Sequence, residues 1–204
     1  MGFYEEQILP RCTDLMCGGA GMERFRRRTT EGLSGRIVEI GFGSGLNVAT
    51  YPDEVTEVLA VEPSHVARSR ATARLERSDV DVQFVGLDGQ SLPLEDASCD
   101  GALATFTLCT IPDVQAALAE LRRVLRPGGR FHFLEHGRAP DESVRTWQRR
   151  FEPLQRRLAG GCHLTRAPDA LVSDAGFEIV ELEQRYVSGP KPWSYFTLGH
   201  AIRS

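Results

Sequence analysis

Short apolar runs alternate with helix-spaced apolar residues along most of this chain of 204 residues. The runs are Ile37 to Ile40, Val55 to Val61, Val82 to Val85, Gly101 to Phe106 and Phe131 to Leu134. Their length and β-branched or aromatic content suit buried strands, predicted at 36–40, 55–61, 81–85, 100–106 and 130–135. Between them, Ala67, Ala71 and Leu75 fall on one helical face, and Val114, Ala117, Leu118, Leu121, Val124 and Leu125 on another. Ser64 and Asp113 are suited to cap those two helices. A further helix is expected from Ser44, closed by Pro52-Asp53. Strands alternating with helices imply parallel βαβ units, whose ligands bind at the carboxyl ends of the strands.

The rhythm loosens after residue 135. Val144, Trp147, Phe151, Leu154 and Leu158 share one side of a helix over 141–158, which Pro153 is expected to interrupt. A helix at 167–175 and strands at 178–186 and 194–202 complete the pattern. Ahead of the first strand, helices at 5–16 and 22–30 flank Gly18-Gly19-Ala20-Gly21. A chain of this length suits one compact domain with an ordinary core.

Charge and cysteine usage narrow the setting. A net charge of -4 argues against bulk nucleic-acid binding. Basic residues still cluster, at Arg24 with Arg26 to Arg28, and at Arg145, Arg149, Arg150, Arg156 and Arg157; Lys191 is the lone lysine. Arginine-rich coding bias on solvated helix faces explains these clusters more simply than phosphate binding does. Five scattered cysteines, at 12, 17, 99, 109 and 162, fit a reducing, cytoplasmic setting better than a disulfide framework. No stretch approaches the roughly 20 apolar residues of a membrane span. The cysteine and histidine spacings match no metal motif, so no metal is expected.

The densest chemistry lies in Glu39-Ile40-Gly41-Phe42-Gly43-Ser44-Gly45, where a strand enters a glycine-rich turn. Such a turn lets backbone approach a ligand closely. Glu62 comes at the end of the second strand, 17 residues after Gly45. In a doubly wound sheet an acidic residue there accepts hydrogen bonds from a ribose diol. The G-x-G-x-G spacing departs from the dinucleotide fingerprint, yet these two features alone leave NAD and S-adenosylmethionine (SAM) in competition.

Later segments decide between them by resemblance. Gly86-Leu87-Asp88-Gly89-Gln90-Ser91-Leu92-Pro93-Leu94, Cys99 to Phe106 and Leu125-Arg126-Pro127-Gly128-Gly129 resemble, in order, later motifs of class I SAM-dependent methyltransferases. Glu39 to Gly45 resembles that family's first motif. The resemblance implies an α/β, Rossmann-like, doubly wound, seven-stranded sheet, mostly parallel with an antiparallel last strand. It implies one domain with a helical cap at 1–34, a SAM-binding core at 35–135, an acceptor-side helical insertion at 136–175 and a final strand pair at 176–204.

The same resemblance implies a cofactor site. Glu39 would hold the methionyl amino end through the loop or a water, with Gly41, Phe42 and Gly43 along the amino acid and ribose. Glu62 would hold the ribose hydroxyls and Pro63 would lie beside adenine. Asp88 and the Gly89 N–H would meet the adenine edge, and Thr105 and Phe106 would sit beneath the sulfonium. The product would be S-adenosylhomocysteine. Phe42 stands where the family more often has a small residue or cysteine, and Gly89 replaces a common alanine.

A narrower likeness runs through Leu108-Cys109-Thr110-Ile111, Phe131 to His136 and Gly161-Cys162-His163-Leu164-Thr165-Arg166. It is similar to the methyltransferase-like seven branch, whose animal members act on small alkyl thiols and carry an N-terminal hydrophobic anchor. No segment of this sequence resembles that anchor. Candidate acceptor-side residues are Glu135, His136, Trp147, His163 and Arg166. His136 titrates near neutrality and is either the base that takes an acceptor proton or a packed anchor of the next loop. Glu135 is expected to orient it, or to pair with Arg166 or Arg138. His163 and Arg166 either reach the acceptor or hold a loop, and Trp147 suits core packing better than a substrate platform. The leading expectation is a methyltransferase for a small-molecule thiol. One alternative is a phospholipid amine or quinone-type acceptor, met through weak peripheral membrane contact of the helix over 144–158 and the N-terminal helix. Another is a SAM-binding regulatory domain without turnover.

Overall fold

The computed structural model describes residues 4–204; Met1 to Phe3, at the start of the expected 1–34 cap, lie outside the described residues. Strands β1 (Gly35–Ile40), β2 (Val55–Val61), β3 (Asp81–Gly86), β4 (Cys99–Thr105), β5 (Leu125–His136), β6 (Phe177–Tyr186) and β7 (Tyr195–Arg203) form one sheet in the order β3-β2-β1-β4-β5-β7-β6. β3 through β5 pair in parallel, and β7 runs antiparallel to both β5 and β6. The expected mixed sheet with its reversed last strand is therefore present. The helices are α1 (Leu9–Cys17), α2 (Ala20–Thr30), α3 (His65–Leu75), α4 (Val114–Val124), α5 (Glu142–Leu158) and α6 (Pro168–Asp174).

Successive side chains of a strand point to opposite faces, and here both faces are covered. Val38, Ile40, Leu59, Val61, Ala102, Ala104, Phe131 and Phe133 pack with Ala117, Leu118 and Leu121 of α4. Their sequence neighbours Ile37, Val58, Ala60 and Leu103 pack on the other face with Ala71 of α3, Phe42 and Val48. That two-sided burial is why the strands read as nearly unbroken apolar runs. The expected caps form: Asp113 accepts from the Ala116 N–H at 3.0 Å and Ser64 from the Ala67 N–H at 3.2 Å.

Two local expectations fail. No α-helix forms after Ser44; turns lead to a single 3₁₀ turn at Val48–Thr50. Gly41, Gly43 and Gly45 all have positive φ, and the Gly45, Val48 and Thr50 N–H groups bond three residues back rather than four. The Asn47 side chain is drawn inward to Glu39, which fixes the segment before a helix can develop. Pro153 does not interrupt α5, which is continuous past it. Its missing N–H removes one helical bond, but the helix is held on both sides of that gap. Before it, fully buried Gln148 accepts from the Ala139 N–H and donates to the Gly137 and Pro192 carbonyls, and after it Gln155 accepts from the Trp193 indole N–H at 3.1 Å.

Candidate active site

The carboxyl ends of β1, β2, β3 and β4 open onto a cavity of about 680 Å³, within the size range of small-molecule sites. Gly41, Phe42 and Gly43 line it after β1, Glu62 and Pro63 after β2, Asp88 and Gly89 after β3, and Thr105 and Phe106 at the end of β4. Of the expected cofactor residues, all but Glu39 are thus brought together. α1 covers the opening with Leu9, Pro10, Thr13, Asp14 and Cys17. Asp14 ties that helix to the glycine turn and to α3, accepting from Ser44 and pairing with Arg70 and, at 3.1 Å, with Arg74.

The backbone of this wall admits few substitutes. A Cβ on Gly41 would stand 2.1 Å from the Thr107 hydroxyl, at a φ of +70°. Phe106 adopts a φ of 54°, a left-handed conformation rare for an aromatic residue. It is held there by its N–H bond to the Leu134 carbonyl at 2.8 Å and by edge-to-face packing on Phe196.

Glu62 is buried, yet its carboxylate forms part of the cavity wall. Oε2 accepts from the Gly43 N–H and Oε1 from the Ser64 N–H, both at 2.8 Å. Burial raises its pKa, and those two bonds work against the rise. Each oxygen keeps acceptor capacity beyond its one backbone donor. Asp88 is exposed and builds its own turn, Oδ1 accepting from the Gln90 N–H and side-chain amide at 2.9 Å.

Glu39 lies beneath the glycine turn with no exposure and does not line the cavity, so any part it has in cofactor binding runs through the loop. Asn47 donates to it at 2.7 Å and the Tyr51 hydroxyl also donates. Burial pushes its carboxyl up to about 7. Asn47 and Thr105 in turn accept from the Arg26 guanidinium, both at 2.8 Å. Arg26 is the residue that sequence reasoning missed, being grouped with its solvated neighbours. It is buried, lines the cavity, stands over the Phe106 ring and leaves Nε without a hydrogen-bond partner. The signal was available: Met22, Phe25, Thr29 and Thr30 mark an inward stripe on α2, and only Arg26 of that arginine cluster falls on it.

None of the expected acceptor-side residues lines the cavity. Glu135, fully buried, accepts from the Thr107, Leu108 and Cys109 N–H groups at 2.7, 2.8 and 3.4 Å. It therefore holds a turn rather than orienting His136 or pairing with Arg166 or Arg138, and burial pushes it up to about 7. Arg166 donates to the Leu108, Ile111 and Pro112 carbonyls of the same turn. His163 contacts Glu152 at 3.2 Å, and its N–H bonds the Cys109 carbonyl. His136 is turned away, with Nε2 2.9 Å from the Cys162 sulfur and Nδ1 buried and unpartnered. Trp147 is neither core nor platform: it is half exposed, stacked on Phe151 with Arg150 over its ring.

A doubly wound sheet with a ribose-type acidic residue, a glycine turn and a covered cavity at its strand ends defines a nucleoside-cofactor enzyme. The methyltransferase-domain family model matches residues 38–133. Thiol S-methyltransferase TMT1B of Homo sapiens is 32% identical over 177 residues, spanning 84% of this chain and 70% of that protein. The phosphatidylethanolamine N-methyltransferase of Cereibacter sphaeroides is 28% identical over 171 residues, spanning 80% of this chain and 81% of that one. Among solved structures, geranyl diphosphate methyltransferase in complex with SAM shares the fold at a TM-score of 0.67 and 14% identity, over 90% of this chain and 85% of that chain. The chain belongs to the SAM-dependent methyltransferase family, and SAM is its cofactor. It is an enzyme of that class, which sets aside a regulatory domain without turnover. Among the described residues no helix is long and apolar enough to cross a membrane.

Proposed function

We propose that this methyltransferase acts on a small-molecule thiol. The observation that carries the reading is a stretch of cavity wall without a base. The titratable acids and the imidazole that line the cavity, Asp14, Glu62, His65 and Asp88, belong to α1 and to the segments after β2 and β3, whereas Leu9, Pro10, Phe106, Thr110, Ile111 and Ala159 present no carboxylate, imidazole or amine. An acceptor meeting this wall must bring its own nucleophile. A thiol with a pKa near 8.5 is roughly one-tenth thiolate at pH 7.5 with no help from the protein. The likeness to a thiol S-methyltransferase supports the same choice.

Bound SAM supplies a methyl group already activated by its sulfonium. The work of the chain is to bind, align and exclude water. Glu62 takes the ribose hydroxyls on its remaining acceptor sites. Asp88 and the Gly89 N–H meet the adenine edge, and Arg26 offers its guanidinium to the methionyl carboxylate. Glu39 acts at one remove, holding Asn47 and so the Arg26 fork. The test is kcat/KM against pH for alkyl thiols of graded acidity. The expected midpoint moves with the pKa of each thiol; one midpoint common to all of them would reveal a protein base and overturn the reading.

A second reading is a phospholipid amine, as in the name of the Cereibacter relative. It is favoured by exposed Leu154 and Leu158 among the arginines of α5, and by exposed Leu15 and Met16 on α1. Sedimentation with anionic vesicles at low salt tests it, and a chain that stays in the supernatant excludes it.

A further inference from the structure

Cys109, His136 and Cys162 come from three separate places: the turn after β4, the last residue of β5 and the turn after α5. Folding brings both sulfurs and an imidazole nitrogen within 4.8 Å of one another. Among the described residues no carboxylate joins the group; Glu135 next door is spent on three backbone N–H groups. We propose that these three side chains form a site for a thiophilic divalent cation of the zinc class. The site ties together the two turns that wall one side of the cavity.

The donor set selects the ion. Two thiolates and an imidazole prefer zinc-like cations to calcium or magnesium, which take oxygen ligands. Two thiolates also cancel the charge of a dication, which lets the group lie buried; both cysteines are buried here. Tetrahedral coordination with bonds of about 2.0 to 2.3 Å places neighbouring donors roughly 3.5 to 3.8 Å apart. The 2.9 Å between His136 Nε2 and the Cys162 sulfur opens to that spacing with a small side-chain movement.

The surroundings hold the donors in place before any ion arrives. Glu135 and Arg166 clamp the backbone around Cys109. The His163 N–H bonds the Cys109 carbonyl at 2.8 Å, which joins the two cysteine-bearing turns directly. Thr110 comes directly after Cys109 and Gly160 precedes Cys162 by two positions, and both line the cavity. Three protein ligands leave a fourth position for water or another donor. The inference stands on the donor geometry and does not depend on which acceptor the enzyme uses.

Cobalt(II) titration of the chelator-treated, reduced full chain tests this without any activity measurement. The expected result is one equivalent of cobalt with a sulfur-to-metal charge-transfer band, displaced by zinc. The band should vanish in Cys162→Ser and in Cys109→Ser and persist in Cys12→Ser, whose thiol is exposed and outside the cluster. Zinc should raise the melting temperature of the natural chain and not that of either cluster variant. Circular dichroism separates a folded variant that has lost metal from one that has not folded. Absence of the band in the folded natural chain overturns the proposal. So does a band that survives both serine substitutions, or a Cys109–Cys162 disulfide that re-forms in place of metal uptake.

Discussion

Glu62 and Glu135 are both buried glutamates near a strand end, both bonded by backbone N–H groups, and they end in opposite roles. Glu62 accepts two such bonds and still forms part of the cavity wall. Glu135 accepts three and has no exposure. The difference lies in the segments packed beyond each strand. Past β2 the chain turns into α3 and leaves the space open. Beside the end of β5, the 107–112 turn and the segment carrying Arg166 fill it. On one side the backbone presents a carboxylate to the open cavity; on the other, charged groups brace a turn from behind and do not line the cavity.

The largest effect expected from this contrast is on stability. Glu135→Ala leaves buried N–H groups unpaired and should cost about 3 to 5 kcal/mol in urea unfolding. A loss under about 1 kcal/mol would mean that the turn carries itself. Glu62→Ala should instead weaken SAM binding by roughly 100-fold, since charge-assisted hydrogen bonds contribute about 1.5 to 3 kcal/mol each. Isothermal titration reads that directly, and unchanged affinity would remove Glu62 from the cofactor site.

Next comes pH. Burial moves Glu39 and Glu135 from 4.5 up to about 7. Between those values the folded chain keeps protons that the unfolded chain releases, so stability from each is full below 4.5 and lost as pH rises through about 7. His132 goes the other way, from 6.5 down to about 4, because burial disfavours its charged form. Its contribution is full above 6.5 and lost as pH falls through about 4. Each gap corresponds to roughly 3 kcal/mol at most. Glu39→Gln should therefore remove about half of the decline that the two glutamates produce toward neutral pH. An unaltered slope in urea midpoints would show that Glu39 is already ionised under the fold.

The smallest effects separate neighbours on α2. Arg26→Lys keeps the charge but loses the planar fork to Asn47 and Thr105, for a roughly tenfold weaker SAM affinity. Arg27→Ala, which breaks an exposed pair with Glu23, should stay within about 0.5 kcal/mol in stability and leave affinity alone. Equal effects from the two would return Arg26 to the solvated face where its composition first placed it.

The parallel core was legible because β1, β2, β4 and β5 are buried on both faces, and two-sided burial writes an apolar run into the sequence. The cavity wall at the strand ends was legible because its residues follow directly on those runs. α5 was harder. Its apolar stripe looks like a core face, yet Trp147, Leu154 and Leu158 are substantially exposed. Periodicity reports that a face is apolar without saying what covers it. The turn after Gly45 misled for a related reason: local spacing favoured a helix, while the buried Asn47–Glu39 bond took the segment elsewhere.

The succession of core strands, the two caps, the glycine turn and the acidic ends of β2 and β3 were determined by the sequence alone, because each depends on residues close in the chain. Tertiary structure decided which way the later side chains turned. Arg26, Glu135, His136, Cys109 and Cys162 have their partners in distant segments, and composition cannot tell an arginine in water from one held over Phe106. A buried polar group takes whatever partner the fold brings within reach, since leaving it unpaired costs more than most local preferences supply.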